Sequence, residues 1–221
     1  MNTLIAGLYA ITPDIADTDD LLLRTRAALT GGARVLQYRN KTASPALRRK
    51  QAQALQALCM EFTVPLIIND HLDLALAVNA AGLHLGGDDG DIAAARAQLG
   101  PEKLLGASCY DRIELAQSAV AAGADHIAFG SFFASSVKPD AVRPPVDLIT
   151  RAKKQFRLPV VAIGGITPHN APQLIAAGVD AVAVISAVFT APDVAAAARE
   201  FLILFDQRLF EPHHEQKSKA L

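Results

Sequence analysis

The chain has 221 residues, of which 51% are hydrophobic and 19% are charged, and its formal net charge at pH 7 is −1. This length fits one large domain or two small ones, and it allows one barrel-sized domain. Such a chain buries roughly 70% of its unfolded surface and needs neither disulfides nor metals to fold. The apolar fraction excludes a disordered chain, and no block of basic residues indicates a nucleic-acid partner.

Cys59 and Cys109 lie in apolar patterns without the spacing of a metal or redox motif, which predicts two buried core residues. This cysteine usage is typical of a reducing cytosol. No basic residue precedes Arg24, and no segment offers the roughly 18 unbroken apolar residues of a membrane span. We therefore expect a cytoplasmic protein without a signal peptide or membrane partner; the sequence leaves open whether it forms a homo-oligomer.

Short β-like runs alternate with amphipathic helical patterns along the chain. The predicted strands are residues 8–11, 35–39, 65–68, 82–85, 104–107, 126–129, 160–163 and 181–185. Eight strands at a pitch of roughly 20–30 residues are typical of a single α/β (β/α)8 barrel, the TIM-barrel fold, which we expect at 1–210. A doubly wound open sheet is the alternative, although the first turn lacks the glycines of a dinucleotide site. Residues 211–221 are predicted to be a disordered tail.

Two helix starts are readable from the sequence. Ser44 followed by Pro45 is typical of a helix N-terminus, because serine caps the free backbone N–H groups and proline fits the first turn. Thr190 and Asp193 have the spacing of a capping box before the last predicted helix.

The second predicted strand ends in the polar run Gln37-Tyr38-Arg39-Asn40-Lys41. Catalytic groups of a parallel barrel lie at the carboxyl ends of its strands. Side chains alternate along a strand, so Gln37 and Arg39 share one face and stand at the barrel mouth if that face points inward. These donors suit an anion such as pyrophosphate, because arginine binds two oxygens at once. A strand-end salt-bridge cluster is the alternative interpretation.

Carboxylates follow the next two strands. Asn69 and Asp70 end the third strand, and Asp88 and Asp89 follow the fourth. Taken singly, these acids are explained as a helix cap or as turn residues. Together they place oxygen ligands at one rim beside the anion site. Mg2+ binds in such places, with water and phosphate completing its shell.

Small residues and hydroxyls follow the later strands. Ser108 ends the fifth strand, where a turn or cap is the plain interpretation. The loop after the sixth strand holds Ser135, Ser136 and Lys138, and both a phosphate-binding lid and an ordinary solvent loop remain open.

The last two strands end in Gly164-Gly165 and in Ile185-Ser186. Loops after strands seven and eight are a frequent phosphate site of this fold. His84 is expected to be a hydrogen-bonded structural residue rather than a general base. The residues alone therefore predict two phosphorylated substrates that meet at one barrel mouth.

In order and spacing, these motifs resemble those of thiamine phosphate synthase, from about residue 8 to residue 205. The segments that carry the resemblance are 37–41, 68–70, 84–89, 106–108, 163–166 and 185–187. Any one of these motifs is weak, whereas the ordered set is specific. The family joins a pyrimidine methyl pyrophosphate to a thiazole ethyl phosphate, giving thiamine phosphate and pyrophosphate.

The resemblance implies a role for each matching residue. The pyrimidine pyrophosphate would be held by Gln37, Arg39, Lys41, Asn69 and Lys138, with Tyr38, Asn40, Ser135 and Ser136 among the substrate-binding residues. Mg2+ would be bound by Asp70 and Asp89, and the thiazole phosphate by Gly165, Ile185 and Ser186. The resemblance also implies that Ser108 contacts the pyrimidine. The residues implied in catalysis are Arg39, Lys41, Ser108 and Lys138.

Two positions depart from the family pattern. The loop after the sixth strand has Val137 where the family usually carries a threonine, and Gly87 stands where a glutamine usually precedes the acidic pair. The loss of a hydroxyl at 137 puts the thiazole-side contacts in question, whereas Lys138 is retained.

The implied reaction needs no protein nucleophile, and no nucleophile signature occurs in the sequence. A dissociative substitution is therefore favoured, with the barrel supplying position and electrostatics. One alternative is a related barrel that acts as a thiazole tautomerase or regulatory binding protein, which typically lacks the carboxylates and cations seen here. Another is a sugar-phosphate isomerase, which would require a general base at a strand end.

Overall fold

Eight parallel strands close into a barrel that is surrounded by helices. The computed structural model describes residues 5–87, 90–134 and 143–208. The strands are β1 (Gly7–Ile11), β2 (Val35–Tyr38), β3 (Leu66–Asn69), β4 (Gly82–Leu85), β5 (Leu104–Tyr110), β6 (His126–Phe129), β7 (Val160–Ile163) and β8 (Ala181–Val184). Strand β1 pairs with both β2 and β8, which closes the sheet. The predicted (β/α)8 barrel is confirmed, and the open-sheet alternative is wrong.

Helices follow the strands in chain order. They are α1 (Thr18–Thr30), α2 (Pro45–Glu61), α3 (Leu72–Ala77), α4 (Ile92–Leu99), α5 (Ile113–Ala121), α6 (Asp147–Gln155), α7 (Ala171–Ala176), α8 (Ser186–Phe189) and α9 (Val194–Arg208). In the part of the chain that the structure describes, no helix combines the length and the apolar character that a membrane crossing requires. The predicted tail at 211–221 lies outside the described residues.

The start of α2 is confirmed, and the start of α9 differs from its prediction. Ser44 caps α2, and Pro45 is its first residue. Thr190 instead ends the short helix α8, where its hydroxyl donates to the carbonyl of Ser186 at 2.7 Å. Asp193 caps α9, since its carboxylate accepts from the backbone N–H of Ala196 at 2.9 Å. The predicted capping box is therefore wrong, because a helix end intervenes between its two members.

Strand side chains alternate between two buried layers. Leu36 and Tyr38 of β2 pack outward against the helices, and Val35 packs inward. The apolar residues buried inside the barrel are Ile5, Tyr9, Ile11, Val35, Ile67, Ala128, Val161, Ala181 and Ala183. Cys59 and Cys109 are free thiols buried in the outer layer, as predicted. This alternation decides which polar side chains can reach the mouth.

Four strands end at a different residue than predicted: β3 and β8 by one residue each, and β2 and β5 in ways that bear on the site. Strand β2 ends at Tyr38, so Arg39 belongs to the following loop. Strand β5 runs on to Tyr110, beyond its predicted end at residue 107, with a register shift between Ser108 and Tyr110. Ser108 therefore lies within a strand rather than after one.

Candidate active site

The ends of β2 and β3 enclose a small cleft at the carboxyl end of the barrel. Its volume is about 20 Å³, and its walls are Tyr38, Asn40, Lys41, Arg48, Ile68, Asn69, Asp70 and His71. The sequence predicts Lys41 from one motif and Asn69 with Asp70 from another. The fold brings these side chains together in one cleft, which we call the β2–β3 cleft.

Gln37 points into the barrel, so the face of β2 that it shares with Val35 is the inward one. Its side-chain amide donates to the Tyr9 hydroxyl at 3.0 Å, and both side chains are buried. Burial raises the pKa of the Tyr9 phenol far above its ordinary value, against a smaller lowering by the hydrogen bond from Gln37. The phenol is therefore neutral at physiological pH and fixes Gln37 below the mouth.

Arg39 forms the ion pair that the alternative interpretation describes. Its Nη1 lies 3.3 Å from Oδ1 of Asp14, in the loop between β1 and α1. The arginine side chain is 19% exposed, so part of it still faces solvent. The Lys41 ammonium makes no hydrogen bond within the described residues, although its backbone N–H donates to Asp14 at 3.0 Å.

Tyr38 packs on the outer side of β2, towards α2. Its hydroxyl donates to Oε1 of Gln51 at 2.7 Å, and the ring is buried in the layer between sheet and helices. Burial raises the pKa of Tyr38 to about 12, with a smaller lowering by Arg48 and a still smaller rise caused by Asp14. The structure thus gives the hydroxyl of Tyr38 a partner within the protein.

The side chain of Asn40 organises the loop after β2. Its amide nitrogen donates to the carbonyl of Ile15 at 3.0 Å and to Oε1 of Gln51 at 3.1 Å. Its oxygen accepts from the Thr42 hydroxyl at 3.2 Å and from the Ala43 N–H at 3.0 Å. An asparagine amide offers two donors and two acceptor sites, so these contacts use its full capacity. Asn40 shapes the loop that carries Lys41.

Arg48, on the first turn of α2, is a candidate that the sequence analysis missed. It lines the β2–β3 cleft and donates to the backbone carbonyls of Asn40 at 3.4 Å and of Ala43 at 2.9 Å. The sequence does contain a hint of this role, because Arg48 follows the predicted helix start at Ser44 within about one turn. Its place in the cleft depends on how α2 packs against β2.

Asp70 holds an unusual backbone conformation beside the cleft. Its φ is 62°, in the left-handed region that asparagine and aspartate tolerate best. Its carboxylate accepts from the Asn69 side-chain amide at 2.5 Å, and its N–H donates to the carbonyl of His84 at 2.9 Å. His71, not Asp70, occupies the N-cap position of α3, where its side chain makes no capping hydrogen bond within the described residues, so the interpretation of Asp70 as a helix cap is wrong.

The donor atoms at the β2–β3 cleft are chemically compatible with a magnesium ion that is accompanied by an anion. Among the described residues, the cleft presents one carboxylate, that of Asp70, and the two cations Lys41 and Arg48. A bare divalent ion is repelled by those cations, whereas an anion that bridges metal and cations balances the charge. The described residues contain no group of three His, Cys, Asp or Glu side chains that could hold a metal. Asp88 and the second predicted ligand, Asp89, lie outside the described residues.

Below the mouth, two histidines face each other across Gly106. His84 pairs in register with Gly106, and Gly106 pairs with His126. A Cβ on Gly106 would lie 2.2 Å from Nε2 of His126 and 2.5 Å from Nδ1 of His84, so only glycine leaves room for both rings. The hydroxyl of Ser108 lies 2.9 Å from Nε2 of His84, as expected for a structural, hydrogen-bonded histidine.

His126 is completely buried, and neither ring nitrogen has a hydrogen-bond partner within the described residues. Burial lowers its pKa to about 3, with a further lowering from the charge of His84. The ring is therefore neutral at physiological pH. The centroid of its ring lies 5.7 Å from that of the His84 ring.

The departure at Gly87 has a structural counterpart in Tyr110. A Cβ on Gly87 would lie 2.7 Å from Cε2 of Tyr110, so the tyrosine ring occupies the space of a side chain at this position. The Gly87 N–H donates to the Tyr110 hydroxyl at 3.2 Å. A side chain on β5 thus supports the loop in which the family usually carries a glutamine.

The ends of β7 and β8 reach the same face of the barrel. Gly165 has a φ of 60°, and a Cβ there would lie 2.2 Å from the carbonyl oxygen of Ala134. The glycine therefore allows the loop after β7 to pack against the loop after β6. Ile185 packs against the inner cluster, and Ser186 begins α8. The predicted residues Ser135, Ser136, Val137 and Lys138 lie outside the described residues.

Comparisons with known proteins identify the family of this chain. A family model described as thiamine monophosphate synthase matches residues 8–188. A thiamine-phosphate synthase of Methylobacillus flagellatus is 56% identical over 91% of this chain and 96% of its own length. One from Nitrosospira multiformis is 50% identical, over 97% of this chain and 92% of its own length.

A solved structure extends the comparison to the fold. Thiamine phosphate pyrophosphorylase from Pyrococcus furiosus superimposes with a TM-score of 0.83 at 34% identity, covering 94% of this chain and 98% of the other. Sequence and structure therefore point to the same family over nearly the whole chain. The chain belongs to the thiamine monophosphate synthase family and is a transferase.

Proposed function

We propose that this chain condenses an aminopyrimidine methyl diphosphate with a thiazole ethyl phosphate, releasing thiamine phosphate and pyrophosphate, with Mg2+ as its cofactor. The observation that carries the proposal is the β2–β3 cleft, where Lys41 and Arg48 lie with Asn69 and Asp70 at the carboxyl end of the barrel. Cations beside a carboxylate suit a diphosphate bound as its magnesium complex.

The cations stabilise the leaving group. Pyrophosphate gains negative charge as its bond to the pyrimidine methylene breaks, so cations placed beforehand act most strongly in the transition state. Lys41 and Arg48 line the cleft, and Arg39 follows β2 with a partly exposed side chain. Each charge-assisted contact is worth about 1.5–3 kcal/mol.

The substitution needs no proton transfer from the protein. The carbon–oxygen bond of the pyrimidine methylene breaks, and its electron pair leaves with pyrophosphate. The electron-rich aminopyrimidine stabilises the carbocation, and the thiazole nitrogen lone pair then forms the new carbon–nitrogen bond. We assign Ser108 to contact the pyrimidine, with His84 holding its hydroxyl at 2.9 Å.

Magnesium would be held by Asp70 and, from the family resemblance, by Asp89. When bound, the ion supplies positive charge to the diphosphate oxygens and so makes pyrophosphate a better leaving group. Asn69 keeps the Asp70 carboxylate oriented through its 2.5 Å hydrogen bond.

The thiazole phosphate is assigned to the ends of β7 and β8, at Gly165, Ile185 and Ser186. Loops at these positions are the common phosphate site of such barrels. Lys138 is assigned to the pyrimidine pyrophosphate and Ser135 and Ser136 to the substrate site, as in the family. We place the reaction in the cytoplasm, since both cysteines are buried free thiols.

The deciding experiment incubates the purified chain with both substrates and Mg2+ and measures thiamine phosphate and pyrophosphate. Omission of either substrate, or excess chelator, should abolish both products. Lys41→Ala should lower kcat/KM for the pyrimidine substrate at least tenfold, about the worth of one charge-assisted contact. Lys154→Ala is the matched control, because this exposed lysine lies near the carboxyl end of α6.

Three results would contradict the proposal. Equal losses of pyrimidine and thiazole affinity in Lys41→Ala would remove the assignment of the cleft to pyrophosphate. An undiminished rate in chelator would remove the magnesium assignment. Thiazole binding without any product would favour the tautomerase-like or regulatory barrel.

A further inference from the structure

The loop after β1, residues 12–16, is hydrogen-bonded to the segment after β2 that carries the two cations Arg39 and Lys41. Thr12 fixes the backbone of Arg39: its hydroxyl accepts from the Arg39 N–H and donates to the Arg39 carbonyl, both at 2.9 Å. Asp14 accepts from the Lys41 N–H at 3.0 Å. The backbone on each side of Asn40 is thus held by a loop from another strand.

Asp14 contacts both cationic residues through one oxygen. Its Oδ1 accepts from Nη1 of Arg39 at 3.3 Å and from the backbone N–H of Lys41 at 3.0 Å. The ion-pair distance exceeds the 2.7–2.9 Å typical of a charge-assisted hydrogen bond, so Asp14 orients the guanidinium without saturating it. Within the described residues, this is the one side-chain hydrogen bond of Arg39, and four of its five N–H donors remain for a ligand.

The carboxylate of Asp14 lies beside the proposed diphosphate site, where its charge is unfavourable for binding an anion. Negative charge beside a diphosphate site weakens anion binding by Coulomb repulsion. Stability does not explain this placement, because the side chains of Asp14 and Arg39 are 32% and 19% exposed and such pairs contribute only about 0–1 kcal/mol. Pre-organisation of two cations is the gain that offsets the repulsion.

We infer that Asp14 is a positioning residue of the diphosphate site: it holds the Arg39 guanidinium and the Lys41 backbone in the arrangement that receives pyrophosphate. Asp14 acts through these two residues and needs no contact with the substrate. The inference rests on the proposed function, because it takes Arg39 and Lys41 as the pyrophosphate ligands.

The test measures binding of inorganic pyrophosphate with Mg2+ by calorimetry to the parent and to Asp14→Ala and Asp14→Asn. Asp14→Ala should weaken binding about tenfold, the worth of one lost charge-assisted contact. Asp14→Asn keeps an acceptor for the Lys41 N–H, so its affinity for pyrophosphate should lie between those of the parent and Asp14→Ala. KM for the thiazole phosphate and the melting temperature should stay near parent values, which a general structural defect would not allow.

Glu61→Ala is the matched control. Glu61 forms a 2.7 Å ion pair with Arg26 at the end of α2, and both side chains are more than half exposed. Its removal also deletes one carboxylate from one arginine, and pyrophosphate affinity should not change.

The results distinguish a failure of the positioning role of Asp14 from a failure of the proposed function. If the parent binds pyrophosphate and Asp14→Ala binds it equally or more tightly, repulsion outweighs positioning and the role of Asp14 is overturned while the proposed function stands. If the parent neither binds pyrophosphate nor releases it from the two substrates, the proposed function fails first. A tenfold loss in Asp14→Ala with unchanged thiazole KM supports the inference.

Discussion

The imidazole Nε2 of His84 lies 2.9 Å from the hydroxyl oxygen of Ser108, on neighbouring strands inside the barrel. The tautomer of His84 decides whether the serine donates or accepts towards a substrate. This pair gives the serine a fixed orientation that an isolated hydroxyl would lack.

Ser108→Ala should lower kcat/KM for the pyrimidine substrate about tenfold, because one oriented hydrogen bond is lost. His84→Ala should produce a loss of similar size by freeing the serine rotor. If the two act as one unit, the double variant loses no more than the larger single loss. Steady-state kinetics of the four proteins measure this coupling.

Ser118→Ala is the control for that cycle, because the hydroxyl of this serine donates to the Glu114 carbonyl at 3.1 Å on α5. Its kinetics should match the parent. Multiplying losses in the double variant would mean that His84 does not act through Ser108.

Asp70→Asn should raise the Mg2+ concentration needed for half-maximal rate at least tenfold, since a neutral oxygen replaces a charged ligand. Asparagine also tolerates the backbone φ of 62°, so the fold should stay intact. Titration of the initial rate with Mg2+ measures the first effect, and thermal melting the second. Asp89→Ala should lose activity and keep the fold, because it removes the second expected magnesium ligand. An unchanged magnesium requirement in Asp70→Asn would exclude its carboxylate as a ligand.

His126 should make stability fall as the pH is lowered. Its pKa is about 3 in the folded state, against about 6.5 in an unfolded chain. Between these values the unfolded chain takes up a proton that the folded protein refuses, so this residue alone lowers the free energy of unfolding by about 1.4 kcal/mol per pH unit. Above about pH 6.5 its contribution should be constant.

His126→Phe should remove this slope and should also raise stability at pH 7 by about 1 kcal/mol, because an apolar ring replaces a buried polar ring that has no hydrogen-bond partner among the described residues. Denaturant unfolding at pH 7, 6 and 5 measures both effects. If the difference between parent and variant stays constant with pH, His126 does not refuse the proton.

Gly165→Ala should raise KM for the thiazole phosphate and destabilise the fold by more than about 2 kcal/mol, because a Cβ would collide with the Ala134 carbonyl at 2.2 Å. Gly178→Ala is the control. Its φ is 99°, yet the nearest atom to a Cβ there is Lys153 Cγ at 3.6 Å. It should cost about 1 kcal/mol without altering KM. Equal effects of the two variants would mean that backbone conformation, rather than loop contact, governs Gly165.

Some features of the site were predictable from the sequence alone. Because side chains alternate along a strand, the sequence predicts that Gln37 and Arg39 share one face, and the structure shows that Gln37 points into the barrel. Because all strands of a parallel barrel end at one face, Lys41 and Asp70 could be expected at the same rim. The hydrogen bonds of Asn40 and Arg48 could not be predicted in this way. They depend on how α2 packs against β2, and the periodicity of the sequence does not determine that packing.

The sequence by itself determined the barrel, the order of its strands and the residue types at each strand end, because hydrophobic periodicity is local and parallel closure follows from it. Only the tertiary structure decided the partners: Asp14 with Arg39, 25 positions apart, and His84 with Ser108, 24 positions apart. Such contacts depend on strand register and loop path, which vary by ångströms without altering the pattern of polar and apolar residues.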